Sequence, residues 1–109
     1  MIVIDTNVLS ELMRPSPDPR VVAWIAQVMP GEATTTAITM AEIDQGIQLL
    51  PRGRRRAGLE EIFRALLVDI AHDVLPFDRE AAIYYALISR RRETAGRPID
   101  QLGCMIAAI

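Results

Sequence analysis

Three short strand-forming runs, at residues 1–4, 33–38 and 74–77, are each followed by a stretch of helical periodicity, and this alternation restricts the fold more than any other feature. A chain that repeats strand and then helix packs its strands in parallel, with the helices as crossovers covering the sheet. Met1-Ile2-Val3-Ile4 is apolar and β-branched without alternation, the pattern of a strand buried on both faces. Residues 33–38 are rich in threonine, which suits a second strand, and residues 74–77 form a third.

The helical stretches carry their own punctuation. A short helix over 7–13 is broken by Pro15, Pro17 and Pro19, and one over 20–29, with Val21, Trp24, Ile25 and Val28 in register, is closed by Pro30-Gly31. Residues 39–50 place Met40, Ile43, Ile47 and Leu50 on one face before Pro51, and residues 54–71 do the same with Leu59, Ile62, Phe63, Leu66 and Leu67. Asp78 reads as the cap of a helix ending near Ala95, with Arg90, Arg91 and Arg92 in its last turns and Gly96 and Pro98 beyond. A last helix begins near Asp100. The expectation is one α/β domain over residues 1–109, three layers thick, with a mainly parallel central sheet flanked by helices. Leu102 to Ile109 reads as an apolar helix without a polar end, and such helices normally cover a further strand, so the last strand or strands are expected to be missing.

Several chemistries are excluded. No apolar run approaches the roughly 18 residues of a membrane span, and Asp5 interrupts the place of a signal peptide, so a cytoplasmic protein is expected. With Cys104 and His72 each the sole residue of its type, neither an internal disulfide nor a Cys/His zinc cluster can form, and a metal would need oxygen ligands. All twelve basic residues are arginine, which rules out a Walker-A lysine or a Schiff base. The formal charge of −2 provides no general field for nucleic acid, so contact with it would rest on local patches. Arg52, Arg54, Arg55 and Arg56 form such a patch at a helix start, where the helix dipole disfavours cations, and they are candidates for meeting a partner.

Two carboxylates stand where open α/β sheets bind ligands. Asp5 follows the first strand and either caps the next helix or belongs to a site at the strand's carboxyl end. Glu42 either completes a capping box with Thr39 or points across the strand ends toward Asp5, and two converging carboxylates suit a hydrated magnesium or manganese ion.

Ile2-Val3-Ile4-Asp5-Thr6-Asn7-Val8-Leu9-Ser10-Glu11, Ile38-Thr39-Met40-Ala41-Glu42-Ile43, Gly96-Arg97-Pro98-Ile99 and Ile106-Ala107-Ala108-Ile109, in that order, resemble the PIN-domain toxins of the VapC and FitB type. Leu49-Leu50-Pro51, Gly53 to Arg56 and Leu75-Pro76-Phe77-Asp78 extend the resemblance over the whole chain. It implies a PIN-like fold and a magnesium- or manganese-dependent endoribonuclease, the toxin of a toxin–antitoxin pair, homodimeric and silenced by a VapB-like antitoxin. The arginine patch would then contact RNA or that partner. Asp5 and Glu42 match the first two carboxylates of the family, with Thr6 and Asn7 supporting Asp5 by hydrogen bonding. Gly103 falls where the third carboxylate is expected, which implies impaired catalysis. Asp100, three residues earlier on the same helix face, either partly replaces that ligand or caps its helix.

Overall fold

The computed structural model describes residues 1–28, 31–70 and 74–109. His72, read from the sequence as a surface loop residue, and Pro30, read as a helix stop, lie outside the described residues. The elements follow in the order β1 (Ile2–Val3), α1 (Thr6–Leu12), α2 (Pro19–Gln27), β2 (Ala33–Thr34), α3 (Ala37–Gln48), α4 (Arg54–Ile70), α5 (Arg79–Thr94) and α6 (Gln101–Ala108).

The sheet is parallel, as the alternation requires, with Ile2 opposite Ala33 and Val3 opposite Thr34. Backbone bonds from Ile2 to the Glu32 carbonyl and from Ile4 to the Thr34 carbonyl complete that pairing. On the far side of the same segment Leu75 donates to Thr35 and accepts from Ala37, each at 2.8 Å, forming a parallel bridge with Thr36. The threonine-rich segment is therefore central, and Thr34, Thr35 and Thr36 are buried.

This arrangement corrects the sequence reading in three places. Residues 1–4 do not form a strand buried on both faces: Ile4 is buried, but Val3 is 45% exposed. Among the described residues β1 pairs on one side only, so the middle of the sheet belongs to residues 33–36. The second strand does not run to Ile38, because Thr36 already caps α3. The third strand shrinks to the bridge at Leu75, since Pro76 has no amide proton to continue the ladder and Asp78 caps α5 two residues on.

The helix ends follow the chemistry read from the chain. Asp78 accepts from the Ala81 amide at 2.9 Å. At the other end of α5, Gly96 adopts φ +69° and donates to the Glu93 carbonyl, while the Arg97 amide reaches back to Arg92. That pair of bonds is a Schellman ending, which needs the left-handed residue glycine supplies. The core gathers Ile4, Leu9, Met13, Ala33, Ile43, Ile47 and Phe63, so α1, α3 and α4 pack together with the strands. The hairpin of α5 and α6 packs through its own contact, burying Ala81, Cys104 and Ala108. Contact between α6 and α3 brings the start of α6 toward the carboxyl ends of the strands. None of the described helices is long and apolar enough to cross a membrane.

Candidate active site

Three segments far apart in sequence meet in one cleft of about 310 Å³, lined by Asp5, Thr6, Asn7, Glu42, Asp100 and Gly103. Asp5 ends the first strand segment and starts α1, Glu42 projects from the second turn of α3, and Asp100 and Gly103 begin α6. A larger, mainly apolar groove of about 700 Å³ adjoins it, sharing Thr6 and Glu42 and bordered by Met13, Leu59, Arg54 and Arg55.

The capping and site readings of Asp5 turn out to be compatible. Its Oδ1 accepts from the Val8 amide at 3.0 Å, capping α1, and its other carboxylate oxygen remains for the cleft. Asp100 is alike: Oδ2 accepts from the Gly103 amide at 2.9 Å, leaving Oδ1. Gly103 matters to this geometry, because a Cβ there would lie 2.6 Å from Asp100 Oδ1. The absent side chain leaves the space that the Asp100 carboxylate leans across.

Glu42 differs from the sequence reading. The capping box with Thr39 is not formed, because the cap of α3 is Thr36, three residues before Thr39, and its Oγ1 accepts from the Thr39 amide at 3.1 Å. Glu42 is thereby beyond the reach of the helix end. Its Oε1 accepts instead from the hydroxyl of Thr6 at 3.1 Å. Thr6 thus supports Glu42 rather than Asp5, and Asn7 lines the cleft exposed, with no side-chain hydrogen bond among the described residues.

Of the arginines, Arg54 and Arg55 border the apolar groove and Arg52 is exposed. Arg56 is set apart by pairing within the chain: its Nε lies 3.2 Å from Glu60 Oε1 and it also donates to Gln48, tying α4 to α3. An arginine occupied in this way has less left to offer a partner. Away from the cleft, the Arg20 side chain, and then its backbone amide, hold the Asp18 carboxyl below its ordinary value.

The site also contains Thr36, which the sequence reading passed over, and gives Thr39, read there only as a capping residue, a different set of partners. Thr36 and Thr39, both fully buried, carry hydroxyls 3.2 Å apart, and Thr39 Oγ1 lies 3.4 Å from Thr6 Oγ1. Their signal was the repeated three-residue spacing of Thr36, Thr39 and Glu42, obscured because a threonine run also reads as strand.

The donor set suits a hydrated hard cation rather than a closed cage. No three acidic, histidine or cysteine side chains among the described residues gather tightly enough to enclose an ion. Asp5, Glu42 and Asp100 nonetheless open onto one cleft, each with an oxygen not engaged within the chain, and magnesium-like ions use one or two carboxylates and keep several waters.

Comparison with known proteins identifies the family and the fold that carry this cleft. Residues 2–109 match the model of the PIN domain. Toxin FitB of Neisseria gonorrhoeae is 39% identical over 109 residues, which cover 99% of this chain and 78% of FitB. VapC ribonuclease Y4jK of Sinorhizobium fredii shows the same identity and the same coverage. The crystal structure of FitAcB from Neisseria gonorrhoeae superposes with a TM-score of 0.90 at 39% identity, over 99% of this chain and 78% of that one. With the family pattern matched from the first strand to the last helix, and with relatives at this identity sharing the fold, the chain belongs to the PIN-domain family.

Proposed function

We propose that this chain is an endoribonuclease toxin that hydrolyses RNA phosphodiester bonds with a divalent cation, magnesium or manganese, held by Asp5 and Glu42 with Asp100 contributing. The observation that carries the reading is the convergence of these three carboxylates on one cleft at the carboxyl ends of the strands, in a fold whose relatives include a toxin and a VapC ribonuclease.

When bound, such a cation supplies acidified water as the nucleophile and neutralises charge developing on the phosphodiester. The chain's own residues prepare for it. Asp5 is fixed by capping α1, so its free oxygen is held on rigid backbone. Glu42 is oriented by Thr6, which occupies one carboxylate oxygen and leaves the other. Arg54 and Arg55, with Arg52 nearby in sequence, supply positive charge that offsets the phosphates of an RNA strand crossing the groove beside the cleft. A VapB-like antitoxin as the protein partner and a homodimer as the active form are carried over from the resemblance to the VapC and FitB toxins read in the sequence.

Gly103 favours a second outcome for the same site. Without a carboxylate at that position cation binding is weak, and the chain cleaves slowly or serves as an impaired relative that still docks on an antitoxin or on a second copy. RNA cleavage in magnesium or manganese, with a chelator control, separates these cases. The expected result is slow, cation-dependent cleavage that disappears in Asp5→Asn and Glu42→Gln. Cleavage that survives both substitutions would overturn the site. No cleavage by this chain or by Gly103→Asp would assign it to the impaired class.

A further inference from the structure

We propose that Thr39 is a positioning residue for Glu42, acting through a one-way chain of hydroxyls that runs Thr36, Thr39, Thr6, Glu42. The inference rests on Glu42 being a cation-binding carboxylate and goes further by naming what holds it in place.

The direction of the chain follows from counting protons. Each threonine hydroxyl has one proton to donate and two lone pairs to accept with. The ionised Glu42 carboxylate only accepts, so the Thr6 proton points to its Oε1 at 3.1 Å. The Thr6 and Thr39 oxygens lie 3.4 Å apart, and with the single Thr6 proton committed to Glu42 the Thr39 proton is assigned to this contact. Thr39 in turn accepts from Thr36 at 3.2 Å, and the Thr36 oxygen accepts from the Thr39 amide at 3.1 Å. Each donor has an acceptor, and the sequence ends on the negative charge.

Two features separate this from ordinary packing. Thr36 and Thr39 are 0% exposed, so water cannot replace a missing partner. A buried helical threonine commonly returns its hydroxyl to the carbonyl one turn back. The Thr35 carbonyl is taken by the Leu75 amide and the Thr34 hydroxyl, and Thr39 is directed to Thr6 instead. Hydrogen bonds in series polarise one another, so the bond reaching Glu42 is stronger and better aimed than one from an isolated hydroxyl. Thr39 therefore restricts the rotamer of a side chain it does not touch.

The test is manganese affinity measured by calorimetry on the intact chain, alongside thermal unfolding. Removing an outer-shell partner of a metal ligand typically costs tenfold or more in affinity, and one step further out the expected loss in Thr39→Val is about three- to tenfold. Thr39→Ser keeps the hydroxyl and should bind within about twofold of the parent, even if it is less stable, which a purely structural role would not produce. Thr39→Ala serves the same purpose if the buried valine prevents folding, and it should lose affinity like the valine. Glu42→Gln is the reference. If it loses affinity while Thr39→Val and Thr39→Ala bind like the parent, the relay is refuted; if Glu42→Gln itself binds normally, the cation reading of Glu42 fails instead.

Discussion

Gly103→Asp, which places a carboxylate where the family resemblance leads one to expect a third, should destabilise the metal-free protein and tighten cation binding at once. A Cβ at residue 103 would stand 2.6 Å from Asp100 Oδ1 and 3.3 Å from its Cγ, so the Asp100 side chain must rotate away. It then gives up its bond to the residue 103 amide, now 2.9 Å, and losing an N-cap costs about 1 kcal/mol. Two carboxylates about 4 Å apart in a solvated cleft add roughly 1 kcal/mol of repulsion. In the other direction, replacing a helical glycine recovers a few tenths, roughly, and a negative charge in the first turn about 0.5 kcal/mol.

The balance is about 1 kcal/mol against the metal-free fold, a fall in Tm of roughly 4–8 °C for a domain near this size. A divalent ion reverses the sign. One extra carboxylate about 4 Å away attracts it by roughly 2 kcal/mol even at the dielectric of water, and since the Asp100 rearrangement has already taken place in the metal-free variant, binding about tenfold tighter or more is expected. Thermal unfolding with chelator and with manganese, together with calorimetric titration, reads both effects. If the variant raises the chelated Tm, Asp100 does not lean over Gly103 as described. If manganese affinity is unchanged, residue 103 does not face the cation site.

Phe63→Ala empties the centre of the core, where the ring is 3% exposed beside Ile43 and Ile47. A loss of about 3–5 kcal/mol is expected, seen as a large drop in the urea midpoint, and an unchanged midpoint would show that α4 is not docked there. Asp78→Ala removes the cap of α5 and should cost about 1 kcal/mol, with Asp78→Asn retaining most of it; equal melting of all three chains would remove the cap from the account. Because the folded Asp18 carboxyl lies below its unfolded value, its contribution is complete at neutral pH and fades as acid carries the solution down through the folded value. In Arg20→Gln the Asp18 titration, followed by NMR, should move up toward the ordinary carboxylate range; no movement would mean the ion pair is not formed in solution.

Local rules fixed in the chain were enough for the order of elements and for several helix ends, though not for the start of α3. Asp5, Asp78 and Asp100 cap helices because a short acceptor beside free amides acts within one turn, and Gly96 ends α5 because it reaches a left-handed conformation at no steric cost. The strand–helix alternation likewise specified a parallel sheet, and the quoted segments were sufficient to recognise the family. Strand extent was not local. Whether Val3 is buried depends on what lies beside β1, and the run at 33–38 could not show where sheet pairing yields to the Thr36 cap.

The candidate site divides along the same line. Asp5, Glu42 and Asp100 could each be named from the sequence, but a carboxylate's availability depends on what it bonds, and only the folded chain decides that. Placing the cap of α3 at Thr36 instead of Thr39 released Glu42 from capping, and contact between α1 and α3 gave it Thr6, 36 residues away in sequence. The buried hydroxyls behind it were invisible for the same reason. A threonine run reads as strand from its composition, whereas the link from Thr39 to Thr6 joins residues 33 apart that only tertiary packing brings within 3.5 Å.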